Sequence, residues 1–265
     1  MARRLGRRKE PSREKVLLKE RELAEGGLNK RVAVYLSKFY NKGVIDGIGT
    51  VFAKGKESDI YVASPGTADI VKGEPYVIVK MFRVQNSSFF SMEDYIIGDP
   101  RFKKIGRTKQ EIIGTWCKKE FGNLEIAQFA GIAAPKPYMY NGNILAMQYI
   151  GTDDGPAPRL VDAGLDRTEA ESMLRTIIDY TKRLHRRGLV HGDLSEYNIL
   201  VHGDKPYFID FGQAVVTRHP HAEEFLKRDV WNVVNYFRKA YGAAMTVDEA
   251  YAEVAAAGPR QQSRP

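Results

Sequence analysis

At 265 residues the chain can form one medium domain or two small lobes sharing a cleft, and 43% hydrophobic with 28% charged residues is ordinary for a soluble globular protein that needs no staple to fold. A single cysteine, Cys117, excludes an intrachain disulfide and fits a reducing cytoplasm, no apolar run approaches the ~20 residues of a membrane-spanning helix, and the basic start, Met1 to Glu10, lacks the apolar stretch of a secretory signal. The net charge of +8 favours phosphate-rich partners such as RNA and nucleotides, the plain alternative being a solvated basic surface.

Residues 1–12 carry Arg3, Arg4, Arg7, Arg8 and Lys9 with few apolar groups, and are expected to form a mobile tail. Helical texture begins near Arg13 and recurs from Asn29 to Tyr40, where Val32, Val34, Tyr35 and Phe39 are expected on one apolar face. From Gly47 to Met81, glycines punctuate short β-branched runs. Gly49–Phe52, Ile60–Val62 and Tyr76–Val79 are predicted as three antiparallel strands. Residues 83–108 show neither period, and an irregular insertion of that length is commonly functional or mobile. A helix is expected from Lys109 to Ala130, then two strands around Tyr138–Tyr140 and Ile144–Tyr149 joined by Asn141-Gly142, a strong hairpin signal.

Residues 151–158, rich in Gly, Asp and Pro, are expected to be a loop. Beyond them the pattern is mainly helical. Thr168 to Arg187 places Met173, Ile177, Tyr180 and Leu184 at helical spacing, with Gly188 at the C-cap. Short strands are predicted at 198–202 and 206–211 around Gly203-Asp204, and helices at Ala222–Tyr241 and Val247–Ala256. The expected organisation is a tail and helix start (1–27), a strand-rich N-lobe (28–150) with an insertion (84–108), a helical C-lobe (151–256) and a short tail (257–265). The fold class is α+β, with a ligand cleft at the junction of the two lobes.

The sharpest chemical signal is Val190-His191-Gly192-Asp193-Leu194-Ser195-Glu196-Tyr197-Asn198, followed by Ile209-Asp210-Phe211-Gly212. A nucleoside triphosphate brings dense negative charge, and Mg²⁺ neutralises part of it through hard oxygen ligands, taking only one or two from the protein. Asp210, expected at a strand end, supplies a carboxylate and Asn198 a neutral amide oxygen. Asp193 can accept a proton or orient an attacking hydroxyl. Each alone reads as turn chemistry; together, at this spacing, they read as a site. His191 is expected to hold the loop rather than to react, Phe211 to pack in the core and Gly212 to act as a hinge. Lys80, ending a buried β-run, can meet α- and β-phosphates. Glu120 on the next helix could hold it in place, with Glu111 as the alternative partner.

Taken together, these segments resemble the RIO atypical protein kinases, most closely the first RIO subfamily in its archaeal form. The likeness covers about residues 28–242. It rests on Gly55-Lys56-Glu57-Ser58-Asp59-Ile60-Tyr61; on Trp116-x-x-Lys119-Glu120-Phe121-x-Asn123-Leu124; on Asp193 to Asn198; on Ile209-Asp210-x-x-Gln213-Ala214; and on His219-Pro220-x-Ala222-x-x-Phe225-Leu226-x-Arg228-Asp229-Val230. The resemblance implies a two-lobed protein-kinase-like fold with a truncated helical C-lobe, since no Ala-Pro-Glu follows Asp210. It implies ATP with Mg²⁺ (or Mn²⁺), Asp193 as catalytic residue, and Asn198 and Asp210 as metal ligands. It further implies nucleotide contacts from Gly55, Lys56, Lys80 and Glu120. Met147 falls at the gatekeeper position, Gln148, Tyr149 and Ile150 in the hinge, and Pro156 just past it. Residues 84–108 correspond to the family's flexible loop, with Ser87, Ser88 and Ser91 as autophosphorylation candidates. Ala53-Lys54 stand where the family usually has Ser-Thr, which removes two hydroxyls from the phosphate loop.

The resemblance carries two further expectations. One is a role in small ribosomal subunit maturation, with the pre-small subunit and its RNA and proteins as partners. The other is ATPase activity, with Asp210 at the position of a phospho-aspartate, so that the chain works as an ATP-driven ribosome-binding switch with little protein kinase activity. The rival from another class is a small-molecule kinase of the aminoglycoside or choline type, which also carries His-Gly-Asp-Leu, Asn and Ile-Asp-Phe. Ser195-Glu196-Tyr197 and the nucleotide loop favour the RIO reading.

Overall fold

The computed structural model describes residues 30–84, 95–102, 106 and 108–258. Tail residues 1–29, Ser87, Ser88 and Ser91 of the insertion, and 259–265 lie outside the described residues.

The first half is built on a five-stranded antiparallel sheet. Its strands are β1 (Ile45–Lys54), β2 (Ser58–Pro65), β3 (Val77–Phe82), β4 (Pro137–Asn141) and β5 (Ile144–Gln148), in the order β1-β2-β3-β5-β4. Helix α1 (Lys30–Asn41) covers one face. Its buried side is Ala33, Leu36, Ser37 and Phe39, whereas Val34 is 38% exposed, so the stripe runs beside the one expected. The hairpin signal at Asn141-Gly142 is matched by the β4–β5 turn, where Gly142 has φ 58° and a Cβ would run into the Tyr35 ring.

Strand β3 positions the first part of the site through its period of two. Val77, Val79 and Met81 point into the cluster under α1 with Leu36, Phe39, Ile144 and Ala146. Lys80 and Phe82 therefore face the other side, towards helix α2 (Lys109–Phe129). Helix α2 starts at a capping box between Thr108 and Glu111. It buries Ile112, Ile113, Trp116, Cys117, Lys119, Glu120, Asn123, Leu124 and Ala127, because it lies between the sheet and the second half.

The second half packs α3 (Arg167–Arg186), α4 (Ala222–Tyr241) and α5 (Val247–Ala255) against one another. The face of α3 is Ala170, Met173, Leu174, Ile177, Ile178 and Leu184, each burial contributing about 1.5–3 kcal/mol for the larger side chains. The expected loop at 151–158 contains a two-residue hairpin, β6 (Gly151–Thr152) with β7 (Gly155–Pro156). Short strands β8 (Leu189–Val190) and β11 (Val215–Val216) pair antiparallel, and β9 (Ile199–His202) pairs with β10 (Lys205–Phe208). The strand expected at 206–211 stops at Phe208. The Ile209 N–H still meets Asn198 O at 3.0 Å in register, but Ile209 O turns to His191 and Asp210 adopts φ 63°, so the backbone leaves the ladder there. Asp210 thus sits two residues past the strand end rather than on it.

Candidate active site

The pairing of β8 with β11 closes a loop of the chain, and the segment between these strands carries the candidate chemistry. Gly192 N and Leu194 N donate to the two carboxylate oxygens of Asp229, at 2.7 and 2.9 Å. Asp229 is fully buried on α4, and burial pushes its carboxyl up to about 7 even though the two N–H groups favour the charged form. Asp193 lies between these two anchored residues. Asn198 donates to Asp193 O at 2.8 Å and to Asp193 Oδ2 at 3.0 Å, and Gln213 reaches the same Oδ2 at 3.3 Å. Burial, and then Asp210, raise the Asp193 carboxyl above the ordinary aspartate range; the Asn198 bond and Arg228 oppose them. Arg228 also donates to Gly192 O.

His191 is buried, and its Nε2 lies 3.1 Å from Ile209 O, the residue before Asp210. Burial lowers its pKa to about 4, so the ring is neutral at pH 7 and acts as a brace between the two loops. Phe211 is fully buried against that ring, 4.8 Å between centroids. With Phe211 packed inward, the half-exposed Asp210 carboxylate turns to Lys80, Oδ1 to Nζ 3.0 Å.

Lys80 joins the two halves. Its ammonium bonds both Glu120 oxygens, at 2.8 and 2.9 Å, and Asp210 from the other side. Glu120 is therefore its helix partner, and Glu111 closes the capping box at the start of α2. Burial works against the Lys80 charge, but Asp210 and Glu120 together outweigh it and raise the pKa above the lysine norm. For Asp210 the Lys80 charge dominates and lowers the carboxyl. Burial raises the Glu120 carboxyl more than Lys80 lowers it.

The other expected nucleotide residues lie in the β1–β2 turn and in the segment from β5 to β7. Gly55 and Lys56 form the β1–β2 turn, Gly55 N bonding Ser58 O at 2.8 Å, and Ser58 pairs with Phe82 two residues past Lys80. Met147 pairs across to Ile78 and leads into Gln148 and Ile150. Gln148 N–H bonds Lys136 O and Ile150 C=O accepts from Ala157, while Ile150 N–H has no backbone partner among the described residues. Pro156 is exposed in β7 opposite Gly151.

The donor set fits magnesium. The amide nitrogen of Asn198 is committed to Asp193, which leaves its oxygen for a cation, and Asp210 offers a half-exposed carboxylate. Among the described residues no group of three or more His, Cys, Asp or Glu could hold a metal. Residues whose role the sequence reading did not assign are Asp229, Gln213, Arg228, Lys119 and Asn123. Each stands inside a motif segment that carried the resemblance.

A strand lysine held by a helix glutamate, facing an Asp–Asn loop and an Asp-Phe-Gly turn across two lobes, defines a protein-kinase-like phosphotransferase. The RIO domain family matches residues 59–250. The RIO-type serine/threonine-protein kinase Rio1 of Haloferax volcanii is 42% identical over 219 residues, covering 83% of this chain and 72% of that protein. Rio1 of Methanocaldococcus jannaschii is 39% identical, covering 86% of this chain and 75% of that one. Human serine/threonine-protein kinase RIO1 is 36% identical, covering 88% of this chain and 40% of its own length. The solved Rio2 kinase of Chaetomium thermophilum superposes with TM-score 0.66 at 21% identity, over 88% of this chain and 69% of that one. Its ADP/Mg²⁺-phosphoaspartate complex gives 0.64 at 22%, over 86% and 66%. The chain belongs to the RIO family, in its Rio1 subfamily, and is an ATP-dependent serine/threonine protein kinase of that type. The small-molecule kinase alternative gives way to this assignment. Among the described residues no helix is long and apolar enough to cross a membrane.

Proposed function

We propose that the chain is a magnesium-dependent serine kinase and ATPase that acts, in the cytoplasm, on the maturing small ribosomal subunit. The observation that carries the catalytic part is the convergence of Lys80 and Glu120 from the N-lobe (28–150) with Asp193, Asn198 and Asp210 from the C-lobe (151–256). Bound magnesium would supply positive charge to the β- and γ-phosphates. Lys80, held by Glu120, moves from Asp210 to the α- and β-phosphates. Asn198 and Asp210 would hold the metal through oxygen. Gly55 and Lys56 cover the phosphates, and Met147, Gln148, Ile150 and Pro156 border the base. Asp193 orients a serine hydroxyl and takes its proton as the oxygen bonds the γ-phosphorus and ADP leaves.

A second reading is favoured by the phosphoaspartate complex of the Chaetomium enzyme, whose fold this chain shares. Here a carboxylate oxygen of Asp210 attacks the γ-phosphorus, the bond to the bridging oxygen of ADP breaks, and water then hydrolyses the acyl phosphate. The net charge of +8 supports an RNA-rich partner, and hydrolysis would govern release from it. Incubation with γ-labelled ATP and magnesium separates the readings. Acid-stable label on Ser87, Ser88, Ser91 or an added protein supports the kinase; hydroxylamine-labile label with free phosphate supports the ATPase. Protein and solution free of transferred label would defeat both. Asp193→Ala is expected to trap the chain on pre-small-subunit particles, and normal release by that variant would argue against the ribosomal role.

A further inference from the structure

The backbone after Asp210 is gripped from α2 by side chains that the roles above leave unused. Lys119, next to Glu120, is fully buried and directs its ammonium at two carbonyls, Gly212 O at 2.7 Å and Ala214 O at 2.6 Å. No carboxylate lies within ion-pair distance of it among the described residues, unusual for a buried lysine. One turn further on, fully buried Asn123 donates to Phe211 O and Ala214 O, both at 2.9 Å. Its oxygen accepts from Arg101 at 2.8 Å, and Asp99 holds Arg101 at 2.7 Å. The Trp116 ring completes the grip, 5.1 Å from the Lys119 ammonium and pressed against Gly212. Three carbonyls between Phe211 and Ala214 are thereby fixed. The residue just before them, Asp210, is the one non-glycine with positive φ among the described residues. A left-handed aspartate persists where its surroundings over-determine it.

We infer that Lys119 and Asn123 are positioning residues for phosphoryl transfer. They lock the 211–214 backbone so that Asp210 keeps the conformation that presents its carboxylate to the metal. Neighbours on one helix divide the work, Glu120 holding the phosphate-binding ammonium and Lys119 the metal loop, so a shift of α2 disturbs both together. The inference deepens the proposed function and rests on its assignment of Asp210 as a metal ligand.

The chain has two tryptophans, and Trp231 is exposed on α4. Trp231→Phe leaves Trp116, which touches the gripped loop, as the sole indole reporter. In that parent, ATP binding without metal, a magnesium titration of the ATP complex followed by Trp116 fluorescence and thermal shift, and transfer kinetics would be compared with Lys119→Met and Asn123→Ala. Both variants are expected to bind metal-free ATP within twofold of the parent. Half-saturating magnesium should rise at least fivefold and kcat fall at least tenfold, with KM for ATP within threefold. A parent without magnesium response or transfer would sink the proposed function itself. An active parent whose variants match its magnesium response and kcat would sink the positioning role alone. Should neither buried variant fold, the milder Lys119→Gln and Asn123→Ser decide, since each keeps a polar group at its position while removing donors to the loop carbonyls; an unchanged magnesium response and kcat in both would equally overturn the inference.

Discussion

Burial and the nearby Asp210 raise the Asp193 carboxyl, while the Asn198 amide and the Arg228 guanidinium pull it down. A base works deprotonated, so activity is lost as pH falls through this pKa. Removing the Arg228 charge removes one of the influences that lower it. Arg228→Gln is therefore expected to shift the acid limb of the kcat/KM profile to higher pH; an unmoved limb would mean that Arg228 acts only through its bond to Gly192. Gly212 gives a second residue-scale test. A Cβ there would meet the Trp116 ring at 2.9–3.1 Å, with the ring buried and the loop carbonyls held by Lys119 and Asn123. Gly212→Ala is expected to cost about 1–3 kcal/mol, as overpacking does, and to lower kcat. Thermal unfolding and turnover would check it. Glu120→Gln leaves Asp210 beside Lys80, so its stability cost should lie at or below the low end of the ~3–5 kcal/mol for breaking a buried pair, while kcat/KM falls sharply.

At the scale of elements, the Asp193 loop hangs from α4 through the buried Asp229 carboxylate, with Arg228 and Asn232 donating to Gly192 O and Leu194 O. Asp229→Ala leaves Gly192 N and Leu194 N without acceptors, at about 1–3 kcal/mol for each buried group. It is expected to lower the unfolding temperature and to reduce kcat more than KM; an unchanged kcat at a temperature where the variant is folded would show that the loop holds its shape without this anchor. Most elements were legible because burial on one side imposes a period. Thus α3 reads as a stripe from Met173 to Leu184, whereas β3, covered on both faces, reads as a short apolar run broken only by Lys80. The exceptions have local causes. The 206–211 run looked like one strand, but the Ile209 carbonyl is taken by His191 and Asp210 turns left-handed to meet Lys80. The two-residue strands β6, β7, β8 and β11 are too short to carry any period; β6 and β7 form a local hairpin, and β8 and β11 pair because segments distant in the chain meet. On α1 the buried Ser37, which bonds Val34 O within the helix, displaces the apolar stripe expected to include Val34.

At the scale of the molecule, the motifs named the residues that converge but not what holds them. Lys80, Glu120, Asp193, Asn198 and Asp210 stand out in the sequence by chemical type and spacing. Lys119 and Asn123 do not, because a lysine and an asparagine on a helix read as solvated until burial is known. Both instead lie at the junction where α2 passes between sheet and helices, and their carbonyl partners are about 90 residues away in the chain. The account stands on a site assembled from both halves around one metal-bound triphosphate. Its most direct test is calorimetric titration of ATP, with and without magnesium, into wild type, Lys80→Met and Asp210→Asn. Lys80→Met is expected to weaken ATP binding in either condition, and Asp210→Asn to abolish the gain that magnesium gives; wild-type affinities and magnesium dependence in both variants would contradict the account.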